Sequence, residues 1–266
     1  GNDISRNSAT NNGGGIAVAE GSSPIISNNV LARNYTEENG GGIAVIEGSA
    51  PLINDNVITD NAVLFGGGGI YVNESSAEIS GCTVSGNLVQ QDGGGIAILM
   101  NSTVNIGNTV IDKNAAGRAG GGMVIGNNST VTIEDSTISG NQAATGGGMI
   151  SQMSSLTLNR AIIADNEAQS GSGGGVLMVV NSVGEIVDSD FTGNVAFEFG
   201  GGLVVFDEST VSLRRSSFVG NAAQMGGAFI GFGDASINLN EPDDNTYTDN
   251  IPEDIDPDDL ESENEE

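Results

Sequence analysis

Glu20, Glu47 and Glu74 lie 27 residues apart and each precedes a serine by one or two positions. Carboxylates returning at a fixed interval are the residues whose type and spacing could bind a cation. If they occupy one point on successive turns of a stacked structure, about 4.8 Å apart, they repel unless hydrated or bridged by an ion such as Ca2+. Asp207 and Glu208 bring the pattern back later in the chain. The competing reading is a set of solvated turn acids, and the nonapeptide Ca2+ signature G-G-x-G-x-D is absent. Ca2+ is the one cofactor candidate.

Two polar files run at the same interval. Asn34, Asn61, Asn87, Asn114, Asn141, Asn166, Asn194 and Asn221 each close a tetrad of the form apolar-x-x-Asn. Asparagine tolerates the left-handed backbone that sharp corners need, and stacked asparagines can hydrogen-bond to one another. A ladder at a corner is therefore expected, against ligands or glycosylation acceptors as the alternative. Sequons stand at Asn34, Asn73, Asn101, Asn127 and Asn128. The second file, Ser23, Ser49, Ser76, Ser102, Ser129, Ser155, Ser182 and Ser209, is expected to pair between neighbouring strands, with a sugar-binding hydroxyl row as its competitor. Cys82, the single cysteine, shares a column with Ser136, Ala161, Ser189 and Ser216, which reads as a small packed residue rather than a reactive thiol.

Acid–base catalysis needs ionisable side chains clustered on one face. The sequence has no His and one Lys, and the outward positions of the first strand of each repeat are Ala17, Ala44, Tyr71, Ala97, Val124, Ile150, Leu177 and Val204. These are apolar or small, so a catalytic residue set is not assigned. The glycine triplets are not phosphate loops, because no Lys-Ser/Thr follows them.

The formal charge of -28 comes from 35 acids against 7 bases. It disfavours nucleic acid and anionic membrane surfaces as partners. Thirteen of the acids fall in residues 241–266, leaving 22 acids and 7 bases, or -15, on the rest. No apolar run is long enough to span a bilayer. The chain begins inside a repeat rather than at a Met, and a parent longer than this segment is expected.

What positions all of these residues is a repeat of about 27 residues. Glycine runs begin at Gly13, Gly40, Gly67, Gly93, Gly120, Gly146, Gly173, Gly200 and Gly226. Three residues after each start stand Ile16, Ile43, Ile70, Ile96, Met123, Met149, Val176, Leu203 and Phe229, all apolar. Two residues further, the column from Val18 to Val205 is apolar too, broken by Ser151 and, at its end, by Gly231. Period-2 alternation in short, turn-bounded pieces means strands, and a period of this length means a solenoid. The expected fold is all-β: a parallel β-helix with three short strands per coil, eight to nine coils and a rod on the order of 40 Å long. Residues 1–250 form the repeat domain, with a partial first coil at 1–12 and a degenerate terminal coil at 234–250; residues 251–266 read as an acidic tail or linker.

The paired signatures Gly-Gly-x-Ile/Leu/Val and apolar-x-x-Asn resemble the GGA(I/L/V) and FxxN repeats of the polymorphic outer membrane proteins, surface adhesins and autotransporter passengers. The resemblance covers Ile4 to about Asn250. It implies a right-handed helix, an extracellular or cell-surface location, and an adhesive or scaffolding role; the absence of His and of an acid pair on one face adds the expectation that the role is not enzymatic. Expected partners are other β-helix segments or copies of the chain end to end, and carbohydrate or a host or neighbouring cell surface. Two alternatives stay open: a subunit of a head-to-tail extracellular filament, and a pectate-lyase-like carbohydrate-active enzyme.

Overall fold

The computed structural model describes residues 1–240 and 243–252. The chain coils as a right-handed parallel β-helix of about nine turns, with no α-helix among the described residues. Strands of successive coils pair in parallel and build four long sheets. Sheet 1 holds the nine strands that follow the glycine runs, from Ile16–Val18 to Phe229–Gly231. Sheet 2 holds nine, from Ile25–Ser27 to Ser236–Asn238, and sheet 3 ten, from Asp3–Ser5 to Thr246–Thr248. These three are the strands that alternation predicts.

A fourth sheet was not expected. Eight two-residue strands, from Ser8–Ala9 to Val195–Ala196, follow the ladder asparagines. They are too short for alternation to register, yet one residue of each turns inward: Val63, Val89, Ala116 and Ala143 form a small buried cluster of their own.

The main core is a set of in-register columns. Ile43, Ile70, Ile96, Met123, Met149, Val176 and Leu203 pair directly from coil to coil in sheet 1 and are fully buried. Ile53, Ile79, Ile106, Ile133, Leu158, Ile186 and Leu213 do the same in sheet 2. Each such side chain contributes about 1.5 to 3 kcal/mol by leaving water, and no single coil could bury its own face. Toward the end of the rod the sheet 3 column enlarges to Phe191 and Phe218, whose rings stack with centroids 4.5 Å apart.

Ser151 interrupts the core. It is fully buried in the valine and isoleucine column of sheet 1, and its Oγ makes no hydrogen bond. A buried hydroxyl without a partner costs free energy. Ser151→Ala is therefore expected to stabilise the chain by about 1 kcal/mol, read as a higher denaturant midpoint; a lower midpoint would mean that the hydroxyl is satisfied.

Strand pairing runs to Thr248, with an isolated bridge beyond it. The terminal coil still supplies strands to sheets 2 and 3, and Ile251 pairs with Ala222. The acidic segment from 253 lies outside the described residues.

Candidate functional site

The asparagine file forms an unbroken hydrogen-bond ladder. From Asn34 to Asn221, each residue donates its backbone N–H and its Nδ2 to Oδ1 of the asparagine one coil on, at 2.9–3.1 Å. Nδ2 also donates to a sheet 3 carbonyl, as Asn141 does to Ile111 O at 3.0 Å. All eight are buried, so Asn34 is an inaccessible sequon. The left-handed backbone belongs to the residue before each of them: Arg33, Asp60, Gly86, Lys113, Gly140, Asp165, Gly193 and Gly220 have φ between 53° and 63°. This corrects the expectation that asparagine itself takes the corner conformation. Its side chain is committed inward, and the preceding residue makes the turn.

The serine file is right at five positions and shifted at three. Ser22, Ser75 and Ser154, not Ser23, Ser76 and Ser155, share the column with Ser49, Ser102, Ser129, Ser182 and Ser209. The hydroxyls of Ser49, Ser75, Ser102, Ser129, Ser154 and Ser209 each accept a backbone N–H from the coil before, at 3.0–3.3 Å. Ser23, Ser76 and Ser155 are exposed. Each belongs to a Ser-Ser doublet, and moving one residue along a strand reverses the face.

A second polar corner joins sheets 2 and 3. It begins with Asn29 and Asn56 and continues as Cys82, Thr109, Ser136, Ala161, Ser189 and Ser216, with side-chain amide and hydroxyl oxygens accepting backbone N–H groups between coils. Cys82 is buried here, and burial pushes its thiol up, which suits a packed thiol rather than a nucleophile. The residues preceding this column carry opposite charges one above another. Arg160 chelates Asp135 at 2.6 and 2.8 Å, and Arg215 chelates Asp188 at 2.7 and 2.9 Å. The guanidinium hydrogen bonds hold both carboxyls below the usual carboxylate range. Exposed pairs of this kind stabilise weakly.

Glu20, Glu47 and Glu74 occupy exposed left-handed turns after sheet 1, at φ 58°, 58° and 48°. Gly21 N–H bonds to Glu47 O and Gly48 N–H to Glu74 O, which places the three on adjacent coils. Among the described residues no group of three or more His, Cys, Asp or Glu could hold a metal ion. The three side chains are exposed to solvent, where the high dielectric weakens repulsion between them.

Two surface regions escaped the sequence reading. One is a shallow depression of about 400 Å3 on the outer face of sheet 2, lined by Glu78, Asn105, Gly107, Thr132 and Glu134 among others. Asn105 Nδ2 donates to the Glu78 carboxylate at 2.8 Å. Glu78 and Glu134 stand two coils apart and two residues apart along the strand, about 10 Å across and about 7 Å along, on a face able to hydrogen-bond sugar hydroxyls. Glu78 and Glu134 fall in different columns, with Asn105 and Thr132 beside the first and Ser80 and Gly107 beside the second, so no column signals the pair.

The other is the outer face of sheet 1. Tyr71 sits there half-buried between Ala44 and Ala97, which pair with it from the adjacent coils. Burial, then the charges of Glu38 and Glu74, push its phenol above the usual value. Because the fold favours the neutral phenol, this group's contribution to stability is present below about pH 10 and lost as pH rises through the raised pKa. Glu74→Gln is expected to bring the Tyr71 titration down, read as the phenolate absorbance that Tyr71→Phe removes; an unmoved midpoint would discount the Glu74 charge. Further along the same face, Ile150, Leu177, Val204 and Ile230 are buried in a second apolar cluster, covered by Val179, Phe199, Phe206 and Phe232. Phe206 and Phe232 share one repeat position, six residues after Gly200 and Gly226, but earlier coils place Ala19, Asn73, Gly126 and Gln152 there, and Phe199 stands just before its own glycine run, so no aromatic file shows in the sequence.

Residues 1–111 and 66–223 match the family model described as "Right handed beta helix region". The comparison with curated proteins finds no match. Among solved structures, the A-module of mannuronan C-5 epimerase AlgE6 from Azotobacter vinelandii aligns over 92% of this chain and 82% of that chain, at 11% identity and a TM-score of 0.26, a likeness too remote to carry an argument about activity.

Proposed function

This chain belongs to the right-handed β-helix family, and from that premise we propose that it is a non-enzymatic extracellular scaffold, a stalk or display segment with an adhesive surface. The observation that carries the reading is the outer face of sheet 1, where Val179, Phe199, Phe206 and Phe232, only partly buried, cover an apolar cluster outside the main core. Apolar surface assembled on the outside of a fold marks interaction. The resemblance of its repeats to surface adhesins points the same way. Its partners in this reading are further β-helix segments, carbohydrate or a neighbouring cell surface.

One observation favours a carbohydrate-active enzyme as the second reading: the Glu78 and Glu134 depression, with two carboxylates facing a polar surface. The test uses the purified chain. It is expected to give isolated rods of about 40 Å in electron micrographs and to leave polygalacturonate and alginate at their original chain length. Long filaments would make it a self-assembling subunit instead. Polyuronide cleavage abolished by Glu78→Gln or Glu134→Gln would replace the scaffold reading with the enzymatic one.

A further inference from the structure

Over the last coils, the apolar cover on sheet 1 is aromatic. The Phe206 and Phe232 rings stack with centroids 4.9 Å apart, and Phe199 meets Phe232 edge-on at 4.8 Å. All three are only partly buried, and Met225, which pairs with Phe199 in the next coil, is 49% exposed. The rim of this platform is acidic. Asp207 and Glu208 follow Phe206, Asp234 follows Phe232 by two residues, and Glu198 precedes Phe199; all four are exposed. Asp207, Glu208 and Asp234 line a depression of about 250 Å3 with Asn181 and Gly233. None of the four carboxylates is in an ion pair among the described residues.

We propose that this surface binds a cationic, partly apolar segment of a partner protein, its Arg or Lys side chains lying against Phe206 and Phe232 and reaching Asp207, Glu208 and Asp234. Aromatic rings attract cations through their quadrupole, and the more so beside carboxylates that add direct charge attraction. Charge decides the occupant. Arg214 and Arg215 of these coils are already engaged by Glu185 and Asp188. Residues 253–266 carry nine acids and no base, the wrong sign to cover an acidic rim, and a chain of net charge -28 repels an anionic membrane. A partner with positive side chains complements both the rings and the rim. The platform spans two to three coils, about 10 to 15 Å, the reach of three to four extended residues. The proposal deepens the scaffold reading by giving the chemistry of what the rod holds.

The test measures fluorescence-anisotropy binding of a labelled octapeptide of alternating arginine and leucine. Phe232→Ala and the double variant Asp207→Asn/Glu208→Gln are each expected to weaken binding about tenfold, while Glu20→Gln/Glu47→Gln/Glu74→Gln at the far end leaves it unchanged. The exposed double variant guards against a folding defect in Phe232→Ala. Equal weakening by the distal triple variant, or equal affinity for a glutamate–leucine peptide, overturns the proposal. Self-association lost on Arg6→Gln/Arg33→Gln also overturns it, by making a second copy the occupant. A chain that ignores the peptide yet remains an inert rod overturns this inference and leaves the scaffold reading standing.

Discussion

Asn141→Ala is expected to lower the stability of the rod by about 3 to 5 kcal/mol. The substitution removes more than one bond. Asn114 loses the acceptor for both its backbone N–H and its Nδ2, and Ile111 O and Asn166 Oδ1 each lose a donor. These groups are buried where water cannot replace the partner; the Asn114 N–H, left without its acceptor, carries a full desolvation penalty, while Asn114 Nδ2 keeps Val84 O and Asn166 Oδ1 keeps the backbone N–H of residue 141. Asn141→Asp is expected to be as damaging. It keeps an acceptor for Asn114 but has no N–H for Ile111, and it places a charge in the interior. Gln142→Ala, at the exposed neighbouring position, should stay within about 0.5 kcal/mol of the parent. The measurement is the denaturant midpoint of the three variants. Equal midpoints for Asn141→Ala and Gln142→Ala would show that the ladder is not a source of stability.

Gly94→Ala is the second large effect. A Cβ there would lie 2.2 Å from Gly121 O and 2.8 Å from the Ala115 backbone. Both obstacles are main chain, one of them on the next coil, so no rotamer change relieves them and the coils would have to separate. The expected result is a loss of about 3 kcal/mol or more, or no soluble folded chain. Gly107→Ala is the control, since a Cβ at that position meets nothing within 4 Å. It should lie within about 1 kcal/mol of the parent, toward greater stability because alanine orders a strand at less entropic cost than glycine. If both substitutions were equally mild, the close approach of coils at the glycine runs would be wrong.

The contrast between the two glycines shows what the sequence could and could not convey. Ile43, Ile70 and Ile96 were legible because one apolar column obeys two periods together, 2 within the strand and about 27 along the chain. The corner chemistry was half legible. Asn61 announced a ladder, but the left-handed residue before it is Asp60 in one coil, Gly86 in the next and Lys113 in the one after, since a turn constrains the backbone and not the side-chain type. The doublet Ser75-Ser76 left two candidates for one inward position, and only pairing with Ser102 in the next coil decides between them. Tyr71 was grouped with small and apolar neighbours by its column, although its phenol is raised by burial and two nearby glutamates. Surface sites such as Phe206 with Phe232 arise from adjacency across coils, and a period reveals which residues stack without revealing which combination matters.

The asparagine ladder also gives the rod a sense of direction. Every ladder Oδ1 accepts from the coil before it and every ladder backbone N–H donates to the coil after it. Two coils brought together in opposite orientations would set oxygen against oxygen or hydrogen against hydrogen. Duplicating a repeat or joining two segments keeps the ladder in one orientation only, and a two-fold symmetric joint through the coil faces of this chain would set ladder groups of like kind against each other.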